Sequence, residues 1–205
     1  MKRIAIFFTA LALLATGCNK GQKFTLEGDL ESAKFSLLTD SLLLKSDALP
    51  TQITIHLKDG KFSYTGRVDK TAAATLKGVG GPIVTKRVIL EKGTITFQDG
   101  LPCGTILNDA YAELSRSLQA IAKENVGNPE AVYSASADVL RTYLSEHGKD
   151  QSAVAALMTG RRYVKPEVLS ELIEMTSPAI QIEGDIHWMK KQLNDQKKKQ
   201  KAQAE

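Results

Sequence analysis

The hydrophobic rhythm of this chain changes once, and the point of change limits what it can fold into. Between residues 23 and 98 apolar side chains recur at every second position: Phe24, Leu26 and Leu30; Ile53, Ile55 and Leu57; Phe62, Tyr64 and Val68; Ile95 and Phe97. That period suits strands that bury one face. From Asn108 the spacing becomes three and four. Tyr111, Leu114, Leu118 and Ile121 form one stripe, and Val132, Val139, Leu140, Tyr143 and Leu144 form the next. Strands gathered before helices, rather than alternating with them, predict an α+β chain. Its N-terminal part is expected to be an antiparallel β-sandwich or open barrel over residues 23–104. A small helical region over residues 105–194 is expected to pack on it. Residues 195–205 hold no large apolar side chain and are expected to form a disordered polar tail.

Turn residues punctuate the strand region. Asp59-Gly60 predicts a hairpin, because both residues tolerate the positive φ of a type I′ turn. Lys92-Gly93 predicts a second hairpin, joining "KRVILE" to "TITFQ". "AATLKG" reads as a short strand, and "KFSLLTDSLLLKS" as one or two more. "GVGGP" lacks the Gly-Lys-Ser/Thr ending of a phosphate loop and opens no helix, so it reads as a turn. Asn108 or Asp109 is the expected N-cap of the first helix. Asn128-Pro129 starts the second helix, and His147-Gly148 ends it. Asp150 caps a short third helix that Gly160 closes. Pro166 opens a fourth, and a last segment carries Ile186, Met189 and Leu193. No repeat of fixed length occurs, which argues against a solenoid.

The N-terminus has its own pattern. Lys2 and Arg3 precede "IAIFFTALALLA", apolar except for Thr9, and Thr16-Gly17 then leads to Cys18. A positive end, a short apolar run and small residues are the parts of a secretory signal. The run is shorter than the ~20 residues of a membrane span. A signal ending at Gly-Cys resembles the bacterial lipobox, although Ala15 stands where leucine is usual. The resemblance implies that residues 1–17 are removed and that Cys18 carries a diacylglycerol, with residues 18–22 as tether. Stable anchoring takes two acyl chains, at roughly 0.8 kcal/mol per buried CH₂, and a diacylated cysteine supplies both. Asn19, rather than Asp, follows the cysteine. By resemblance to sorting rules, this implies the outer membrane, with the protein facing the periplasm.

The +4 net charge resides at the ends of the chain. Lys2 and Arg3 supply +2, and residues 189–205, with six lysines against Asp195 and Glu205, supply +4. The body over residues 18–188 is therefore −2. No nucleic-acid partner is expected of such a body, least of all after export.

"FTLEGDL", "DGKFSYTGRV", "RVILEKGTITF" and "GTILND" together resemble a domain of unknown function found at the N-terminus of exported lipoproteins of the Bacteroidota. The resemblance covers about residues 23–112 and continues more thinly through the helices to about residue 200. In many relatives the domain precedes a thioredoxin-like (AhpC/TSA-type) domain, and the whole is a thiol–disulfide oxidoreductase. The resemblance implies a periplasmic thioredoxin-like protein as partner. It also marks Asn108 and Asp109, the family-like polar pair, as contacts to that partner, beside their expected role as helix caps. Such oxidoreductases work through Cys-x-x-Cys. Here the cysteines are Cys18 and Cys103 alone, and the chain ends where the thioredoxin-like domain would begin.

The remaining candidates are expected to be structural. Cys103 reads as a small core residue, with redox participation beside a helix start as the alternative. A third reading is a relict of an oxidoreductase that has lost its catalytic domain. His56 falls out of phase with Ile55 and Leu57 and should face solvent. His147 suits a helix C-terminus. Glu183 and His187, four apart, make half a metal site. Glu27 and Glu91 follow strand positions. The expectation is a non-catalytic binding or docking module, not an enzyme, with no cofactor and no metal.

Overall fold

A computed structural model describes residues 21–204. The signal-like segment 1–17 and most of the tether, Cys18 included, lie outside the described residues.

Among the described residues the strands form two sheets of four. The first, in the order β4-β1-β7-β8, holds β1 (Gln22–Asp29), β4 (Lys61–Val68), β7 (Gly93–Gln98) and β8 (Leu101–Cys103). The second, in the order β3-β2-β5-β6, holds β2 (Ser41–Lys45), β3 (Ile53–His56), β5 (Ala72–Val79) and β6 (Thr85–Leu90). Neighbours are antiparallel except β1 and β7, which run parallel. Phe24, Leu26, Phe62 and Ile95 of the first sheet meet Leu42, Leu44, Leu76 and Val88 of the second in one buried core. The result is an open, mostly antiparallel sandwich and not a closed barrel.

The register of β1 on β4 explains two strand glycines. Phe24 lies opposite Gly66, and Phe62 lies opposite Gly28. A Cβ on Gly66 would come within 2.7 Å of the Phe24 ring, and one on Gly28 within 3.0 Å of the Phe62 ring. Each ring covers the bare backbone of the facing strand.

Both hairpins expected from the sequence turn out to be corners between sheets. Asp59 and Gly60 have φ of +52° and +73°, and Lys58 and Lys61 exchange backbone hydrogen bonds of 2.8 and 2.9 Å. The tight turn forms, but β3 then pairs with β2 and β4 with β1. Lys92-Gly93 likewise carries the chain from β6 in one sheet to β7 in the other. A hairpin does form at Asp99-Gly100, pairing Gln98 with Leu101. "AATLKG" belongs to the eight-residue β5, which is paired on both sides. Only one strand arises from "KFSLLTDSLLLKS", and Leu37-Leu38 is a turn.

The helices are α1 (Ile106–Glu124), α2 (Pro129–His147), α3 (Ser152–Gly160), α4 (Pro166–Glu174), α5 (Pro178–Gln181) and α6 (Gly184–Ala204). Asn128 caps α2 by accepting a hydrogen bond from the Ala131 N–H. α3 is apolar nearly all round and sits in the middle of the helical layer, as such a composition requires. The layer covers the outer face of the second sheet, where Ile89 packs on Tyr111 and Ala155. The order is thus sheet, sheet, helices. α6 buries Ile186, Met189 and Leu193 and continues through Ala204. The expected disordered tail is therefore helical through residue 204, since helix formation propagates once a packed segment has nucleated it.

Candidate functional site

The start of α1 is where the sequence placed its polar pair, and the structure divides the pair. Neither Asn108 nor Asp109 is the N-cap. Thr105 flanks the helix in extended conformation, and its side chain makes no cap bond. Capping comes from Glu91, between β6 and β7. Its Oε1 accepts from the N–H of Leu107 at 2.8 Å, the N–H of Asn108 at 3.2 Å and the Thr105 hydroxyl at 2.7 Å. The carboxylate thus satisfies donors that a helix start leaves orphaned, where the dipole favours an anion.

Asn108 is 0% exposed. Its Oδ1 accepts from the Ile89 N–H at 2.9 Å. Its Nδ2 donates to the Ile89 carbonyl at 2.7 Å and to Thr105 Oγ1 at 2.8 Å. β6 ends its sheet, and this one amide replaces the missing neighbour at Ile89. Asn108, expected as a partner contact, therefore offers no exposed surface of its own. It faces inward with its polar groups engaged. Asp109 is exposed, and its Oδ1 accepts from the Gly104 N–H at 2.8 Å. Gly104 has φ +91°, so Asp109 braces the turn that delivers the chain into α1.

Cys103 is half-buried on β8, with its sulfur 3.3 Å from Thr96 Oγ1. His56 is exposed. His147 lies 3.0 Å from Asp150 and beside the Tyr143 ring. Glu183 accepts from Gln151 Nε2 at 2.8 Å, and His187 is exposed. Among the described residues, no group of three or more His, Cys, Asp or Glu side chains is placed to hold a metal ion. No described helix is long and apolar enough to cross a membrane.

Beside the packed contact, a cleft of about 460 Å³ is lined by residues of the second sheet and of the helices. Its polar groups are used to join the two layers. Arg87 pairs with Asp185 and donates to Thr75 Oγ1. Gln151 accepts from the Ala73 N–H while its amide donates to Glu183.

The feature that sequence reading missed is the tip of the sandwich. Leu37, Leu38 and Ile83 are 83%, 67% and 73% exposed. Their loops touch. A Cβ on Gly81 would sit 3.1 Å from Leu38 Cβ, and the Asp40 N–H donates to the Val79 carbonyl at 2.8 Å. The glycines of "GVGGP" let the two loops close. Beneath them the Lys86 ammonium lies over the Phe35 ring at 5.9 Å. Burial, and then the charge of Lys34, hold its pKa below the ordinary lysine range. Asp29 supports the first loop by accepting from the Ser32 N–H at 2.7 Å. That bond holds its carboxyl below the usual range. The adjacent pair Leu37-Leu38 was the available signal, since neighbouring residues of a strand cannot share its buried face.

No protein-family model, curated protein or solved structure matches this chain.

Proposed function

We propose that this chain is an outer-membrane lipoprotein, anchored through an acylated Cys18 and facing the periplasm, that works as a non-catalytic docking module. Its partner in this reading is a thioredoxin-like oxidoreductase. The carrying observation is the aliphatic tip of Leu37, Leu38 and Ile83. A cluster of exposed aliphatic side chains on two mutually braced loops is the kind of surface that partners cover. The tip lies at the end of β1 remote from Gln22, where the tether enters. The Cys18 lipobox and the lack of any Cys-x-x-Cys in the sequence support the anchor and the non-catalytic role. With Asn108 buried, Asp109 is the member of the polar pair that a partner can reach.

In-cell cross-linking followed by mass spectrometry tests the proposal. Capture of a periplasmic thioredoxin-like protein, lost with Leu37→Asp/Ile83→Asp, supports it. Capture of no specific envelope protein, or capture indifferent to those substitutions, overturns it. The alternative, redox participation through Cys103, requires that Cys103→Ser change a thiol–disulfide phenotype in the same cells.

A further inference from the structure

The end of the sandwich opposite the tip has a different character. β1 begins there at Gln22, β4 ends at Val68, and β7 begins at Gly93, level with Phe24. The Gln22 side chain ties these segments together, accepting from the Lys92 N–H at 3.2 Å and the Thr71 hydroxyl at 3.4 Å. Thr105, just before α1, lies against Gly93. Lys23, Arg67, Lys70 and Lys92 are all exposed around this end, and so are the acids Asp69 and Asp109. Glu91 is spent on capping α1. Ile106, the first residue of α1 and next to Thr105, is 81% exposed. An aliphatic side chain at a helix start gains nothing for the fold by standing in water.

Cys18 precedes Gln22 by four residues, a reach of at most about 14 Å. The lipid attachment point therefore stays close to this end. The opposite tip lies about 23 Å further along β1. We infer that the Lys23–Arg67–Lys70–Lys92 end, with Ile106 at its surface, rests on anionic phospholipid headgroups. This leaves the Leu37–Leu38–Ile83 tip pointing away from the membrane. The inference rests on the lipoprotein reading above. Basic side chains are attracted to an anionic leaflet, and an exposed aliphatic side chain at the same end can enter the interface.

The test uses the full lipidated protein in vesicles of phosphatidylglycerol and phosphatidylethanolamine. Trp188→Phe removes the sole native tryptophan, and Ile106→Trp or Leu37→Trp then places one at either end. Brominated lipid is expected to quench Ile106→Trp and to spare Leu37→Trp. Lys23→Glu/Lys70→Glu/Lys92→Glu, or replacement of both lipids by phosphatidylcholine, should abolish the quenching. The mass of the N-terminal peptide is read from the same preparation. An unacylated Cys18 overturns the anchor and this orientation with it. An acylated Cys18 with Ile106→Trp unquenched, or with Leu37→Trp quenched instead, overturns the orientation alone. Cross-linking of the Ile106 end to an envelope protein, with no quenching, assigns this surface to a protein partner and also overturns it.

Discussion

Asn108 closes both backbone polar groups of Ile89, accepting from its N–H at 2.9 Å and donating to its carbonyl at 2.7 Å. One side chain on α1 thus stands in for a neighbouring strand at Ile89 on the open edge of β6. An unpaired edge invites pairing with foreign strands, and the Asn108 amide blocks that at Ile89. Asn108→Ala leaves two buried groups without partners, each worth about 1–3 kcal/mol. The expected loss is about 2–6 kcal/mol, read as a lowered urea midpoint. Asn108→Asp should cost at least as much, because it loses the donor to Ile89 and sets a second carboxylate beside Glu91. Partner capture by the remaining folded protein should be unchanged.

Glu91 is the cap of α1 although it lies outside the helix sequence. Glu91→Ala removes the acceptor for Leu107, Asn108 and Thr105 together. Loss of a cap costs about 1–2 kcal/mol. Glu91→Gln keeps an acceptor but loses the charge at the helix start, at about 0.3–1 kcal/mol. Thermal melts by circular dichroism should rank wild type above Gln and Gln above Ala.

Those two residues also show how much was legible in the sequence. The change of period located the strands and helices, because burial of one face imposes a period whatever the partner. Asn128-Pro129 announced its helix, since capping there is local. The first helix start was misread because its cap comes from Glu91, distant from the helix in sequence. Asp59-Gly60 was read correctly as a tight turn and wrongly as a hairpin. Turn geometry fixes a local reversal of the chain, and strand pairing beyond it depends on Phe24, Gly66 and the rest of β1. Asn108 was recognised as a polar residue with a role. Its direction, into the sheet rather than toward a partner, was set by the open edge of β6, which no local pattern encodes.

Gly66 tests the facing arrangement of rings and glycines. A Cβ there meets Phe24 at 2.7 Å and Tyr64 at 2.8 Å, and both rings belong to a packed aromatic pair. Gly66→Ala should cost about 1–3 kcal/mol, as overpacking does. Phe24→Leu should cost less in the Gly66→Ala background than in wild type. A double-mutant cycle in urea measures that coupling, and additivity would show that the ring does not cover the glycine.

The two perturbed groups at the tip predict responses of the same sign in two separate pH ranges. Lys86 has a folded pKa below its ordinary value because burial disfavours its charge, with Lys34 adding repulsion. Between that folded value and about 10.4 the unfolded chain binds the extra proton, so stability rises with pH across this window. Lys86→Met should remove the rise and stabilise the protein at neutral pH. Tyr143, whose pKa burial pushes up, acts against this above about pH 10, where the unfolded phenol ionises first. The comparison is therefore made below that pH. Asp29 has a lowered folded pKa, set first by the Ser32 N–H. Its contribution is fully present above about pH 3.9 and is lost as pH falls through the folded value. Asp29→Asn can keep the acceptor and should flatten the acid limb alone. Urea midpoints measured across pH for the wild type and the two variants separate the effects. A Lys86→Met protein that retains the alkaline rise would show that the half-buried ammonium is not its source.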